Sequence, residues 1–354
     1  MTVATGHKAR LVAGKQSDYD TAIAVTDLLP LLSESASMEF IRVADEILCG
    51  NAGRLSDTVT GKVATAPITV QGVYDNVSSG DPFGIELLLL ACLGTATRVS
   101  SDNRYTLTDI LAEYLTIGIN KQVSIFEYIG AKCDGMNFSI DQDALAVFTF
   151  DFACKNRFKT GDGSVTNSIA GANALNKASV TKMKWQDMVF RVANLDDIMT
   201  SSDQVTITSV SLNMIRNMKV DDRGTPISSG HTDSQLVQEP SEDGLRDVTL
   251  SFTTPRYEAD TFIDFMEASS GQGTKLQADI KFTNSSETFN ISIPNFKIIG
   301  TSESITDAGV LTQDVECICH LNNGDNTVML YNDSATSVDE EFGIEVNSGR
   351  VATP

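Results

Sequence analysis

The chain has 354 residues, of which 41% are hydrophobic and 21% charged, and it carries a formal net charge of −21 with a sequence pI near 4.4. This mixture is typical of a globular protein and excludes a fibrous or disordered chain. The length suffices for two or three cores of ordinary domain size. An acidic surface repels polyphosphate, and the sequence shows no basic stripe with interleaved aromatic residues that could grip a nucleic acid.

Membrane insertion and secretion are not expected from the sequence. No run approaches the ~20 apolar residues of a membrane helix. The longest apolar run, residues 85–93, contains Glu86 and is followed at once by Gly94. The first ten residues lack the apolar core of a signal peptide. We therefore expect the protein to fold in the cytosol without contact with a membrane and with its cysteines reduced.

Alternation of apolar and polar residues dominates the chain, as is typical of half-buried antiparallel strands. The alternating segments of the first half are residues 115–119, 136–140 and 148–154, and those of the second half are residues 248–252, 276–282, 289–293 and 315–321. The sequence therefore predicts a mainly β fold.

Two segments follow a helical pattern instead. Asp81 and Pro82 open an apolar run that ends at Gly94, which predicts an N-cap, a first helical residue and a C-terminal glycine. This run is apolar on nearly all sides, so we expect a buried helix. Pro255 opens a second run in which an apolar stripe stands opposite acidic residues, which indicates an amphipathic helix.

The order of these elements recurs in the two halves, because each has a strand, a proline-started helix and three further strands. The sequence therefore predicts two tandem β-barrel or β-sandwich domains with one principal α-helix each, at residues 17–158 and 183–323. Residues 159–182, rich in Gly, Ser, Asn and Ala, are interpreted as a linker. Residues 324–354 are interpreted as a C-terminal arm with an acidic segment.

No residue stands in a recognisable catalytic context. The histidines are His7, His231 and His320, and none is spaced with a nucleophile and an acid as in a catalytic triad. No phosphate-binding loop is present. Cys317 and Cys319 have no second ligand pair to close a tetrahedral metal site, which favours buried thiols. We expect no enzymatic activity, no metal and no organic cofactor, although a paired-carboxylate hydrolase on a β scaffold stays open.

Two long polar loops occupy the same place in the two halves, at residues 50–61 and 221–243. Loops of this length in compact domains usually have a function, and contact with a partner is the interpretation we favour here. The candidate contact residues in these loops are Arg54, Leu55, Asp57, Arg223, Pro226, His231, Leu236 and Glu239. We expect the C-terminal arm to join them in assembly contacts.

Residues 63–155 resemble the tail tube proteins of long-tailed bacteriophages. The resemblance rests on the strand ATAPITVQG, the helix that ends in Leu93 and Gly94, the strands YLTI and VSIFEYIG, the segment AKCDGMNFS and the strand AVFTFDFACK. The second half matches only by the order of its elements. The resemblance implies a non-enzymatic subunit of the virion tail, assembled in the host cytoplasm together with other tail proteins.

The family resemblance also implies stacked rings that form a hollow conduit with an acidic lumen, through which DNA passes during genome ejection without specific binding. The chain is longer than single-domain members of the family, so three copies would supply six tube domains and form a pseudo-hexameric homotrimer. Two alternatives remain open at this point. One is another β-type virion component, such as a connector or tail-completion protein, and the other is a carbohydrate-binding β module.

Overall fold

The computed structural model describes residues 8–44, 57–74, 84–99, 102–160, 181–195, 197–223, 235–257, 259–268, 273–285, 287–303, 310–322 and 340–347. Within these ranges the chain is mainly β, as predicted, and two α-helices accompany the strands. The helices are α1 (Glu86–Leu93) and α2 (Thr261–Glu267). Neither described helix is long and apolar enough to cross a membrane.

The strands are numbered in the order in which they occur along the chain. The first half contains β1 (Arg10–Gln16), β2 (Asp27–Leu29), β3 (Leu31–Glu34), β4 (Ser37–Ala44), β5 (Asp57–Thr65), β6 (Ile68–Gln71), β7 (Gly94–Val99), β8 (Asp102–Leu107), β9 (Tyr114–Asn120), β10 (Ile125–Asp141), β11 (Val147–Cys154) and β12 (Asn156–Lys159). The second half contains β13 (Met188–Asn194), β14 (Ser209–Ile215), β15 (Met218–Lys219), β16 (Ser241–Glu242), β17 (Asp247–Thr254), β18 (Leu276–Asn284), β19 (Glu287–Ser302), β20 (Gln313–Cys319) and β21 (Gly343–Asn347).

One antiparallel sheet runs through both halves of the chain. Its eight strands follow the order β3-β6-β11-β10-β14-β17-β20-β19. The two halves meet where β10 pairs with β14, over seven residue pairs from Gly135↔Ile215 to Asp141↔Ser209. Main-chain hydrogen bonds therefore join the halves edge to edge.

The long strands β10 and β19 bend out of this sheet and enter two smaller ones. The first part of β10 belongs to the order β2-β1-β9-β10-β12. The first part of β19 belongs to the order β13-β18-β19-β21-β8-β7. Register shifts between Cys133 and Gly135 and between Ile298 and Gly300 mark the bends, since a bulge sharpens the local twist.

The core lies between the large sheet and the two smaller ones. Phe138 and Phe148 from the first half meet Phe282 and Phe289 from the second, with ring centroids 5.7 to 6.1 Å apart across the halves. Full burial of each such side chain contributes about 1.5–3 kcal/mol. Among the described residues the sheets are sandwich-like, and no ring of paired strands closes into a barrel. Apolar residues of both halves form one contiguous core.

Five strand pairings of the first half recur in the second half. The pairs β1–β9, β3–β6, β6–β11, β9–β10 and β10–β11 correspond to β13–β18, β14–β17, β17–β20, β18–β19 and β19–β20. Among the described residues, the β7–β8 hairpin after α1 has no counterpart after α2. The halves thus share the order of their pairings, although they share one core instead of enclosing two.

The helices differ in part from the sequence prediction. α1 is buried and stops at Gly94, whose φ of 93° suits glycine and whose amide donates to the Leu90 oxygen, so its predicted end is confirmed. Its predicted start at Asp81 and Pro82 lies outside the described residues. α2 begins at Thr261, not at Pro255, because the Tyr257 amide donates to the Leu311 oxygen at 2.8 Å and keeps this segment out of the helix.

Two strands lie outside the predicted domain boundaries. β1 precedes residue 17 and pairs with β9 along its whole length. β21 falls in the segment interpreted as an arm, yet it lies between β19 and β8 and buries Phe342, Ile344 and Val346. Residues 340–347 therefore belong to the body of the protein and connect its two halves.

Candidate assembly surfaces

The side of the eight-stranded sheet that faces away from the core is mostly polar and acidic, and its outward apolar residues include Val147, Ile215 and Ile318. Alternate residues of each strand point outward, because side chains alternate across a strand. The outward residues of the six central strands include Thr69, Asn137, Ser139, Asp141, Thr149, Asp151, Ser209, Ser211, Asn213, Asp247, Thr249, Ser251, Thr253, Asp314 and Glu316. We call this surface the polar face. It carries five carboxylates, and Lys297 on β19 is the basic residue beside them.

One carboxylate of the polar face, Asp151, is harder to ionise than usual. Partial burial and the nearby Asp134 carboxylate raise the pKa of Asp151 above its ordinary value. Asp314 accepts a hydrogen bond from the Thr253 hydroxyl at 2.6 Å and stays exposed. A surface with small polar side chains and an excess of carboxylates repels phosphate without offering it a donor cluster.

The large sheet ends in two open edges. β3 pairs with β6 on one side, and no strand within the described ranges pairs with its other side. At the opposite end, residues 298–301 of β19 pair with β20 alone. Open edges present main-chain donors and acceptors that can pair with another chain.

Arg216 fixes the junction between the halves. Its side chain is fully buried, and it donates to the Cys92 and Leu93 oxygens at 3.3 Å and to the Glu242 carboxylate at 2.6 Å. The two oxygens belong to the last turn of α1, where a cation is favourable because the helix dipole is negative there. Arg246 adds an ion pair to Glu341, next to β21, at 2.9 Å. Side chains from the second half therefore hold the helix of the first.

Residues 57–61 of the first predicted loop belong to strand β5 instead, and residues 50–56 lie outside the described residues. Asp57 is the first residue of β5, and it forms an exposed ion pair with Arg42 at 2.8 Å. The hydrogen bond from Arg42 lowers the pKa of Asp57. Arg54 and Leu55 lie outside the described residues. Strand β4, which pairs with β5, also exposes Phe40, Ile41 and Val43, which the sequence analysis did not single out.

The second predicted loop rests on the first half of the chain. Glu239 accepts hydrogen bonds from the Tyr114 hydroxyl at 2.5 Å and from the Lys132 ammonium at 3.1 Å. Leu236 is buried, and the main chain of Arg223 forms an isolated antiparallel β-bridge with Val237. The base of this loop therefore contacts the rest of the chain. Because it is buried, Leu236 is not accessible to a partner, whereas Glu239 is paired but half exposed. Pro226 and His231 lie outside the described residues.

The described residues bring together no recognisable catalytic or metal site. Cys317 and Cys319 are buried, and burial raises the pKa of both thiols, which makes them poor nucleophiles and ligands. Burial and the charges of Lys297 and Lys275 lower the pKa of His320. No group of three or more His, Cys, Asp or Glu side chains in the described part of the chain is placed to hold a metal ion.

A comparison with protein-family models gives a match over most of the chain. A family model described as phage tail tube protein matches residues 6–319, and a search of curated proteins finds no match. The matched range spans both halves, including β14 to β20, where the sequence resemblance rested on element order alone. The family is structural, which implies a non-enzymatic role and a place in the virion tail. The chain belongs to the phage tail tube protein family.

Proposed function

We propose that three copies of this chain close into a pseudo-hexameric ring, and that the rings stack into the tube that conducts DNA during genome ejection. The observation that carries this proposal is the β10–β14 junction, which joins two halves with the same order of strand pairings. Each half then acts as one tube domain, and β1 and β21 extend the predicted bounds of 17–158 and 183–323. The assembly takes place in the host cytoplasm and involves other tail proteins.

Ring closure follows from the two open edges. The order β3-β6-β11-β10 corresponds to β14-β17-β20-β19, so a β19–β3 pairing between copies repeats the internal β10–β14 pairing. In that register Ser33 of one copy lies opposite Ser302 of its neighbour, as Ser211 lies opposite Ser139 within the chain. A head-to-tail contact that closes on itself forms a ring and leaves no strand edge open.

The polar face is the proposed inner wall of the tube. Its carboxylates, among them Asp141, Asp247 and Glu316, would give the lumen a negative potential. At physiological salt this field acts over about 8 Å, the Debye length, so it would act on a duplex that drifts toward the wall. DNA would then pass without sticking, because the wall lacks the cation clusters that bind phosphate.

Contacts between rings are assigned to the long hairpins and the C-terminal residues. The exposed apolar residues of β4 support this assignment, since a flat apolar ribbon is normally covered by a partner. The candidate contacts in the first loop are Arg54, Leu55 and Asp57. In the second loop, the candidate contact residues are Pro226 and His231. Arg223, Leu236 and Glu239 form the base of this loop, which rests on the first half of the chain.

Negative-stain electron microscopy of the purified protein, with native mass spectrometry of its smallest ring, tests this function. The proposal predicts stacked rings of three chains. Isolated monomers, or rings of six chains, would contradict it. Single rings that never stack would favour a connector or tail-completion protein instead.

A further inference from the structure

The two helices differ in how well the chain covers them. Every residue of α1 except Leu87 is buried, because the β7–β8 hairpin and Arg216 pack around it. α2 contains no buried residue, although it presents Phe262, Ile263, Phe265 and Met266. Phe262 packs on Phe252 at 5.3 Å, and Phe265 and Met266 are also half-buried against the core. The exposed residues of the helix are Thr261, Asp264 and Glu267.

The exposed side of α2 is acidic. Tyr257 reports this environment, because its hydrogen bond to Asp260 and the charges of Asp260, Glu303 and Asp264 raise its pKa to about 12. Glu267 adds a fourth carboxylate at the end of the helix. We call this region the acidic α2 surface. A single chain thus leaves this helix half-covered, with an acidic outer side.

The first half carries a complementary patch that stands out in a chain of net charge −21. The ring of Phe126 lies between the Lys121 ammonium at 5.5 Å and the Arg157 guanidinium at 5.4 Å. Lys159 on β12 is the register partner of Phe126, and it is exposed. Glu34 is the acidic residue that pairs with Lys121. We call Lys121, Phe126, Arg157 and Lys159 the basic patch.

The internal junction indicates where these two surfaces would meet. β21 lies beside β19 on the side of β20, as β12 lies beside β10 on the side of β11. Within the chain, β8 follows α1 and pairs with the far edge of β21. When the same arrangement is repeated between copies, the region of α2 lies against β12 of the next copy.

We infer that the acidic α2 surface of one copy docks on the basic patch of a second copy of this chain. The inference rests on the proposed ring and specifies which surfaces of neighbouring copies meet when the ring closes. Opposite charges steer the two surfaces together, and the half-buried apolar residues of α2 lose their remaining exposure at the contact. Like-charge pairing of two α2 surfaces or two basic patches is disfavoured, which enforces head-to-tail order.

A charge exchange tests this contact. In the variant Arg157→Glu with Lys159→Glu, the concentration needed for tube formation should rise about tenfold or more, because like charges then face each other. Combining it with Asp264→Lys and Glu267→Lys should restore assembly. The pair Lys182→Glu with Lys184→Glu is the matched control, since it changes the net charge equally at two exposed lysines outside the patch. Circular dichroism of each variant checks that it folds.

Each outcome has a distinct meaning. Wild-type protein that forms no rings contradicts the proposed function itself. If the wild type forms tubes and the patch variant assembles equally well, the docking contact alone is overturned. The same holds if the folded four-residue variant fails to regain tube formation. Binding of a single-stranded DNA oligonucleotide by the monomer, lost in the patch variant, would assign the basic patch to nucleic acid and overturn the inference.

Discussion

The Arg216 guanidinium of the second half donates to the main-chain oxygen of Leu93, the last residue of α1, at 3.3 Å. The same side chain is fully buried and pairs with Glu242. The junction between the halves is therefore stabilised by this side-chain contact in addition to the pairing of β10 with β14. The halves are therefore held in one orientation before any second copy is involved.

Replacing Arg216 by Met should destabilise the monomer strongly. The change leaves Glu242 without its partner and removes the donor for two helix oxygens, which costs about 3–5 kcal/mol for a buried pair. Urea unfolding measures the loss. Lys219→Met is the control, because its ion pair with Asp222 is exposed to solvent and contributes little to stability. Equal stabilities of the two variants would contradict the role of Arg216.

Asp279 should make stability fall as the pH rises. Burial raises the pKa of Asp279 to about 6, although Arg191 lies 2.9 Å away and opposes the shift. Since the folded pKa is above the unfolded value near 3.9, the stabilising effect is complete below about pH 4 and is lost as the pH rises through about 6. The loss is on the order of 1–3 kcal/mol.

The variant Asp279→Asn isolates this effect. Its unfolding free energy, measured in urea at pH 4 and pH 7.5, should change less between these two values than that of the wild type. An identical pH dependence in both proteins would contradict the assignment to Asp279.

The aromatic core between the halves should be sensitive to truncation. Phe148→Ala removes a fully buried ring that contacts Phe138 at 5.1 Å and Phe289 at 5.7 Å, and it should cost about 3–5 kcal/mol. Phe40→Ala on the exposed β4 ribbon should change the monomer by less than about 0.5 kcal/mol. The Phe40 variant should nevertheless form shorter tubes in micrographs. Tubes of wild-type length would exclude Phe40 from the contacts between rings.

The loop at residues 221–243 should divide into a structural base and an assembly part. Replacing residues 224–234 by two glycines keeps Leu236 and Glu239 in place, so the monomer should retain its stability while stacking is lost. Deleting residues 223–239 also takes the carboxylate from the buried Lys132, which should cost about 1–3 kcal/mol more. Full-length tubes from the shorter deletion would contradict an assembly role.

The strands and the end of α1 could be predicted because the signals are local. Alternation along Phe148–Cys154 and the glycine at Gly94 each act through neighbouring residues. β21 was missed because residues 343–347 are short and bury their apolar side chains only between β19 and β8. No local pattern marks a strand whose partners lie this far away in sequence.

The candidate surfaces depend even more on the tertiary structure. Lys121 and Arg157 are distant in sequence, and only the pairing of β10 with β12 brings both to the ring of Phe126. For this reason the sequence shows no basic patch with an aromatic centre. Likewise, the contact of Glu239 with Lys132 could not be read from a polar loop, because it requires the second half to reach across the first.

Disulfide trapping of the β3–β19 contact tests the ring most directly. The double variant Ser33→Cys with Ser302→Cys places the two thiols at opposite ends of an eight-stranded sheet, roughly 34 Å apart at ~4.8 Å per strand, so they cannot pair within one chain. After mild oxidation of assembled tubes, a denaturing gel should show cross-linked species that end at three chains of 38.1 kDa. A ladder that continues to six chains, or no cross-link in intact tubes, would contradict the trimeric ring.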